Sequence, residues 1–310
     1  MKIIRSLNAI PHSQKGCVAT IGNFDGLHLG HQKVINKLKE KAQSLNLPLT
    51  VISFEPLPAE FFSPKPPARI YPLRDKIRSL KHLGVDNYLC LKFNADFAAI
   101  PPQAFVQDIL LDTLKVKYLA VGDDFRFGHK RTGNFDLLKL MGDKSGMTVT
   151  DTSTCKHDKQ RISSTRIREY LEMGDIANAN QLLGHKYQLS GRVRHGDERG
   201  RTIGFPTLNL RLPENIAPAR GVYAVRIAGL ANKNLIGVAN LGARPTVKGT
   251  ENRLETHLFD FEDKDFSAYG KHICVELFRF IRAEKKFDDF QALKKQIVKD
   301  AECAQEILTS

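Results

Sequence analysis

Four apolar runs, Cys17–Ile21, Leu49–Phe54, Asp86–Leu91 and Lys117–Gly122, recur at similar intervals through the first half of the chain, with helical spacing between them near 31–45, 73–83 and 102–114. This rhythm is the strongest constraint on the fold. Parallel strands cannot be joined by tight turns, so strand–helix–strand spacing of this kind predicts a parallel sheet with crossover helices. The runs lack strict apolar–polar alternation, as expected of strands covered on both faces. From Tyr187 the rhythm changes. Short β-like runs follow at 187–193, 221–227, 234–242, 255–261 and 273–281, punctuated by Gly, Pro and Asn. That pattern predicts an antiparallel barrel or sandwich, and a final amphipathic stretch at 287–308 predicts a closing helix. A chain of 310 residues suits two domains, 1–186 and 187–310.

Net charge is +13, with 27 basic and 18 acidic side chains in residues 1–186 and 20 and 16 in 187–310. A basic surface suits anionic partners. Acidic residues are interleaved throughout and no helix-turn-helix or RNA-recognition signature occurs, so small phosphorylated substrates explain the charge as well as nucleic acid does. No apolar run reaches membrane-spanning length and the N-terminus lacks signal-peptide features, so the expected location is the cytoplasm, with no membrane partner. The five cysteines, at 17, 90, 155, 274 and 303, show no C-x-x-C spacing and are expected to be buried free thiols.

The segment "GNFDGLHLGHQ" starts at Gly22, after the first apolar run and before the first helical stretch. A helix start offers unpaired N–H groups and the positive end of the macrodipole. Gly22, Gly26 and Gly30 let phosphates approach the backbone, and His28 and His31 add donors that can carry charge. A metal pair, for which no third ligand is evident, and incidental surface histidines are the alternatives. A second such stretch is "QRISSTRIREYL" (160–171), in which Ser163, Ser164 and Thr165 open a helix carrying Arg166 and Arg168. Alone it reads better as a capped helix with a solvated basic face.

Together these stretches resemble the nucleotidylyltransferase superfamily. "VGDDFRFGHKRTGNFDLL" (121–138) narrows the resemblance to the bacterial bifunctional riboflavin kinase/FAD synthetases, over essentially the whole chain. The resemblance implies a Rossmann-like α/β nucleotidylyltransferase domain and a six-stranded antiparallel β-barrel kinase domain with a C-terminal helix. It implies that the first domain joins FMN to the AMP part of ATP and releases pyrophosphate. His28 and His31 would stabilise the transition state. Gly22, Asn23, Asp25 and Gly30 would line the ATP turn, while Arg161, Ser164, Thr165 and Arg168 would hold phosphates. Asp124 and Phe62 would contact the flavin. Core packing is an alternative role for the aromatic segment 54–62.

In the second half, "GRVRHGDERGRTIGFPTLNL" (191–210) is Gly-rich but is neither a Walker A loop nor a dinucleotide fingerprint, and alone it reads equally as a surface loop. "FPTLN" and "LETHLFDF" (254–261) resemble the kinase module of the same family. That resemblance implies ATP contacts at Gly196, Gly200 and Thr207, and Mg²⁺ held by Thr207 and Asn209. It also implies flavin contact at Arg282 and a base role for Glu255 toward the ribityl hydroxyl of riboflavin. The partners so implied are ATP, riboflavin, FMN and FAD, without nucleic acid, in a monomer or weak homo-oligomer. Two rivals are a nucleic-acid-binding protein with a nucleotide switch and an adenylyltransferase for another small phosphate. The kinase-like second half argues against the latter.

Overall fold

The computed structural model describes residues 1–11, 13, 15–152, 156–157, 160–194, 207–231, 233–246, 249–259 and 268–310. By packing, the chain divides into two compact units: Met1–Pro67 with Lys76–Ile162, and Ala68–Asp75 with Ser163–Ser310.

The first unit is built on a six-stranded parallel sheet. Its strands are β1 (Lys2–Ile4), β2 (Cys17–Ile21), β3 (Leu49–Glu55), β4 (Asn87–Lys92), β5 (Val116–Val121) and β6 (Thr148–Asp151), in the order β1-β4-β3-β2-β5-β6. Every residue of β2, and Leu49–Phe54 of β3, is buried, which is why these runs are apolar without alternating. The edge strands β1 and β6 are short and partly exposed, so they leave little apolar signal in the sequence. Helices α1 (Leu29–Leu45), α3 (Leu73–His82) and α6 (Phe135–Ser145) match the crossover pattern, and α2 (Pro58–Phe62) and α4 (Ala95–Ala98) are short. The helical stretch expected at 102–114 is α5 (Pro102–Ala104) running into a wider π-type helix, Phe105–Thr113, whose Phe105, Val106, Ile109 and Leu110 join the core. A two-residue ladder pairs β7 (Lys156–His157) with β8 (Gln160–Arg161).

The strand order reverses between β2 and β5. The chain passes through β3 and β4 on one side of β2, then returns to β5 on the other. In open parallel sheets, ligands collect beyond the carboxyl ends of strands at such a reversal. Gly22 and Gly122 are the residues that directly follow these two strands.

The second unit holds six antiparallel strands: β9 (Gln188–Arg192), β10 (Thr207–Leu212), β11 (Gly221–Ala228), β12 (Leu235–Thr246), β13 (Gly249–Leu258) and β14 (His272–Ala283). Their order is β10-β13-β12-β11-β14-β9. An isolated bridge between Arg194 and Asn209 brings the two edges together, so the sheet nearly closes as a barrel. Leu210, Tyr223, Leu241, Leu254 and Leu277 fill it. Helix α9 (Phe290–Thr309) lies on the outer face, where Val222, Ala224, Val238 and Ala304 form one apolar cluster.

Helices α7 (Ser164–Glu172) and α8 (Ile176–Leu183) pack with this second unit, although sequence rhythm groups them with the α/β half. The backbone N–H of Ala219 donates to Leu171 O (2.8 Å), and a Cβ on Gly174 (φ +76°) would meet the Phe280 ring at 2.7 Å. Segment 68–75 belongs here too: the Tyr187 hydroxyl donates to Ile70 O (2.7 Å), and the Ser190 N–H donates to the fully buried Asp75 carboxylate (3.2 Å).

Among the described residues no helix is long and apolar enough to cross a membrane. Cys17 and Cys90 are buried free thiols, with burial raising the Cys17 thiol to about 11. Cys274 and Cys303 are only half-buried, which corrects the expectation for them, because they sit where the outer surfaces of β14 and α9 keep solvent contact. Cys155 lies outside the described residues.

Candidate functional site

The loop from β2 to α1 turns sharply. Phe24, Gly26 and Leu27 all take left-handed backbone conformations, at φ +48°, +77° and +45°. Two of these are not glycine, and strain of this kind concentrates at functional sites. The turn delivers His28 to the N-cap of α1, where its Nδ1 accepts the backbone N–H of His31 (3.3 Å). With Nδ1 accepting, the proton of the neutral ring sits on Nε2. His31 stacks on His28 with ring centroids 3.7 Å apart, and Phe24 leans on His31 at 5.1 Å. Burial, then the positive charge of His28 and Lys76, holds the His31 imidazole well below the usual histidine range. Its Nδ1 is buried without a hydrogen-bond partner among the described residues. Asp25 is buried in the same turn, and Gly30 falls in the first turn of α1.

Gly22 and Asn23 open into a cleft of about 930 Å³ within the first unit, and Asp124 from the loop after β5 lines it as well. Phe54, Phe61, Phe62, Phe93 and Phe97 supply one wall. Phe61, Phe62 and Phe93 meet edge to face at 5.1–5.6 Å, and Phe62 remains 64% exposed. An exposed aromatic cluster at the mouth of a cleft is a surface for a flat ring. The structure thus brings Gly22, Asn23, Asp124 and Phe62 to one cavity.

The second expected phosphate stretch forms as a capped helix start. Ser163 Oγ accepts the Arg166 N–H (3.4 Å), Ser164 and Thr165 begin α7, and Arg168 Nε donates to Ala68 O. Arg161 ends the short strand β8 in the first unit. Gly196 and Gly200 lie outside the described residues.

In the barrel, strand register does what sequence spacing could not show. Asn209 pairs with Glu255, Glu255 with Asn240, Asn240 with Val222, and Val222 with Arg282. Residues directly opposite on neighbouring strands share a face, so five strands align these five side chains across the outside of the barrel. The next row pairs Thr207 with His257 and His257 with Val238. Beneath α9 these rows line a second cleft of about 520 Å³ that includes Thr207, Asn240, Glu255, His257, Arg282 and Asp300. Arg253 Nη1 lies 4.0 Å from Glu255 Oε1.

Arg282 is not an open cation. Its Nε and Nη2 both donate to the Asp300 carboxylate of α9, at 2.9 and 2.6 Å, and Gln296 Nε2 donates to the same carboxylate at 2.9 Å. Asn240, His257 and Asp300 escaped sequence reasoning. Register identifies Asn240, which lies opposite Glu255. His257 shares the face of Glu255 by alternation along one strand, a signal present in the sequence, while Asp300 needs the docked helix.

Asn209 Oδ1 is buried without a hydrogen-bond partner among the described residues, and Thr207, two residues away on the same strand, shares its face. Hard, neutral oxygens next to a carboxylate are donors that suit Mg²⁺ when substrate phosphates complete the shell. Among the described residues, no group of three His, Cys, Asp or Glu side chains could hold a metal on its own.

Two family models match the chain, FAD synthetase over residues 10–166 and riboflavin kinase over residues 183–308. A bifunctional riboflavin kinase/FMN adenylyltransferase from Escherichia coli (strain K12) is 48% identical over 308 residues, covering 99% of this chain and 97% of the relative. A relative of the same description from Haemophilus influenzae is 46% identical over 311 residues, covering 100% of both. A solved structure described as a macrolide-efflux protein from Streptococcus pneumoniae is 31% identical and covers 98% of each chain, with a TM-score of 0.78.

Proposed function

The chain belongs to the bifunctional riboflavin kinase/FMN adenylyltransferases, and from that premise we propose how its residues divide the two reactions. The C-terminal part phosphorylates riboflavin to FMN, and the N-terminal part adenylylates FMN to FAD. We place the functional division near residue 186. The protein works in the cytoplasm as a monomer or weak homo-oligomer, with ATP, riboflavin, FMN and FAD as its ligands and no nucleic acid.

For the kinase, the observation that carries the reading is the row Asn209–Glu255–Asn240–Val222–Arg282. The nucleophile is a neutral alcohol. Glu255 accepts its proton as the oxygen bonds to the γ-phosphorus and ADP leaves. Thr207 and Asn209 would hold Mg²⁺, which when bound screens the charge of the ATP phosphates. Arg282, held by Asp300, orients the flavin, and Gly196 and Gly200 take ATP phosphates.

For the adenylyltransferase, the nucleophile is a phosphate oxygen of FMN, already anionic at pH 7, so no base is required. It attacks the α-phosphorus of ATP and displaces pyrophosphate. His28 Nε2–H and His31 stabilise the charge that grows on the phosphates, from the turn made by Gly22, Asn23, Asp25 and Gly30. Arg161, Ser164, Thr165 and Arg168 take ATP phosphates. The isoalloxazine ring lies against Phe62 in the aromatic cleft, beside Asp124.

The test is incubation of the purified protein with riboflavin, ATP and Mg²⁺, followed by chromatographic separation of the flavins. FMN and then FAD should accumulate. Formation of neither would overturn the reading, and a salt-sensitive shift of DNA or RNA would favour the nucleic-acid rival.

A further inference from the structure

The aromatic cleft has a basic wall that none of the assigned roles uses. Arg126, His129, Lys130 and Arg131 line it, and among the described residues Asp124 is its single carboxylate. Three of these basic residues lie on one tight turn whose shape is held from several sides. Phe127 and Gly133 exchange backbone hydrogen bonds in both directions (3.1 and 2.9 Å), and the His129 N–H donates to Ile100 O (2.8 Å). The Arg131 N–H donates to Gly128 O (3.0 Å), and the Thr132 hydroxyl donates to His129 O (2.9 Å).

Gly128, Lys130 and Arg131 all take left-handed backbone, at φ +72°, +51° and +58°. A Cβ at Gly128 would meet Pro102 Cα at 2.7 Å. Two long cationic side chains in a conformation that L-residues seldom adopt are thus fixed at the rim of the cleft. Among the described residues no carboxylate forms an ion pair with Lys130 or Arg131.

The cleft under α9 has the opposite balance. Among the described residues its carboxylates are Glu255, Glu284 and Asp300, its permanent cations are Arg282 and Lys285, and Arg282 is spent on Asp300. The two clefts therefore differ in charge as riboflavin and FMN do. Riboflavin is neutral, whereas a phosphate monoester carries close to two negative charges at pH 7.

We infer that the turn 128–132, through Lys130 and Arg131, reads the anionic charge of the phosphorylated flavin and makes the aromatic cleft select FMN over riboflavin. The aromatic wall binds the ring that both flavins share. The basic turn supplies the difference between them. The inference rests on the reading of the aromatic cleft as the FMN site.

The test uses the full-length protein with Lys130→Asn, Arg131→Asn and the double variant. Asparagine tolerates left-handed backbone, so the turn is preserved. FAD formation from FMN is measured against ionic strength, with riboflavin as a competitor. The double variant should raise the KM for FMN about tenfold at low salt and flatten its salt dependence. The inhibition constant of riboflavin should stay at the parent value, so that selectivity falls by the same factor. Phosphorylation of riboflavin should be unchanged. Phe61→Ala and Phe62→Ala, made in parallel, should weaken FMN and riboflavin alike. If those variants raise the KM for FMN while the double asparagine variant does not, the inference is overturned and the cleft assignment stands. If neither set moves it, both are overturned.

Discussion

His28 and His31 stack face to face, with ring centroids 3.7 Å apart and planes 14° from parallel. Two protonated rings at that distance repel, so a second proton on the pair is opposed, and phosphate oxygens in the proposed site would balance it. Such a pair responds to developing negative charge. Replacing both with alanine should lower FAD formation from FMN and ATP by about 10²–10³-fold. FMN formation from riboflavin should persist. FAD production at the parent rate in the double variant would remove these residues from the transition state.

The buried position of His31 also shapes acid stability. Its folded pKa lies below the ordinary 6.5, through burial first and then the charges of His28 and Lys76. On unfolding, the ring regains its ordinary affinity for protons. The unfolded state therefore binds more protons between the two values, so stability is complete above the ordinary value and is lost as pH falls toward the folded one. His31→Gln should flatten the fall in melting temperature between about pH 7 and about pH 5. The measurement is thermal unfolding across that range without nucleotide. An identical slope in parent and variant would show that the ring titrates normally.

Glu255→Gln keeps the shape of the side chain but removes its ability to take a proton at neutral pH. Riboflavin phosphorylation should fall by about 10²–10⁴-fold, with flavin binding by fluorescence quenching close to normal. FAD formation from supplied FMN should be untouched, because that nucleophile needs no base. A glutamine variant that makes FMN at the parent rate would leave Glu255 as an ordinary strand residue.

Asp300→Ala strips Arg282 of both its carboxylate contacts. Asp300 is only 5% exposed, so the guanidinium is left partly buried without its counter-charge. Arg282 keeps some solvent contact, and the expected loss of stability is about 1–3 kcal/mol. The KM for riboflavin should rise in the same variant, whereas adenylylation of FMN should not change. Asp300→Asn, which keeps hydrogen-bond acceptance, should restore part of the stability. Equal melting temperatures for alanine variant and parent would make the pair energetically idle.

Fragments test the proposed division. A fragment of residues 1–186 should convert FMN to FAD, and one from Tyr187 should make FMN. The second should be the less robust, since it lacks Leu171 O as the acceptor for Ala219 and leaves the Phe280 side of β14 without Gly174. Beginning it at Ser163 should raise its melting temperature, read by calorimetry. No gain from those added residues would show that α7 and α8 contribute little to the barrel.

Much of this molecule was legible in its sequence. The central strands β2 and β3 were readable because burial on both faces demands uninterrupted apolar runs. The helix start carrying His28 was readable because a strand-like run and a helical stretch flank a glycine-bearing segment. The barrel and its closing helix were readable from short β-runs broken by turn residues. All of these signals are local, written within one strand or one turn of helix.

Tertiary structure alone decided the rest, because it depends on pairings between residues far apart in the chain. Nothing near Asn209 indicates that Glu255 lies opposite, or that Asn240 and Arg282 continue the row, until four strand registers are set. The grip of Asp300 on Arg282 required α9 to dock on the barrel. The depressed pKa of His31 required burial of the ring in the folded unit, to which the charges of His28 and then Lys76 add. Segment 68–75, with α7 and α8, left the rhythm of the α/β half because their partners, Asp75 with Ser190 and Leu171 with Ala219, are hydrogen bonds that satisfy buried polar groups. A chain that must pair such groups takes the partners that packing offers, and periodicity along the sequence carries no record of that choice.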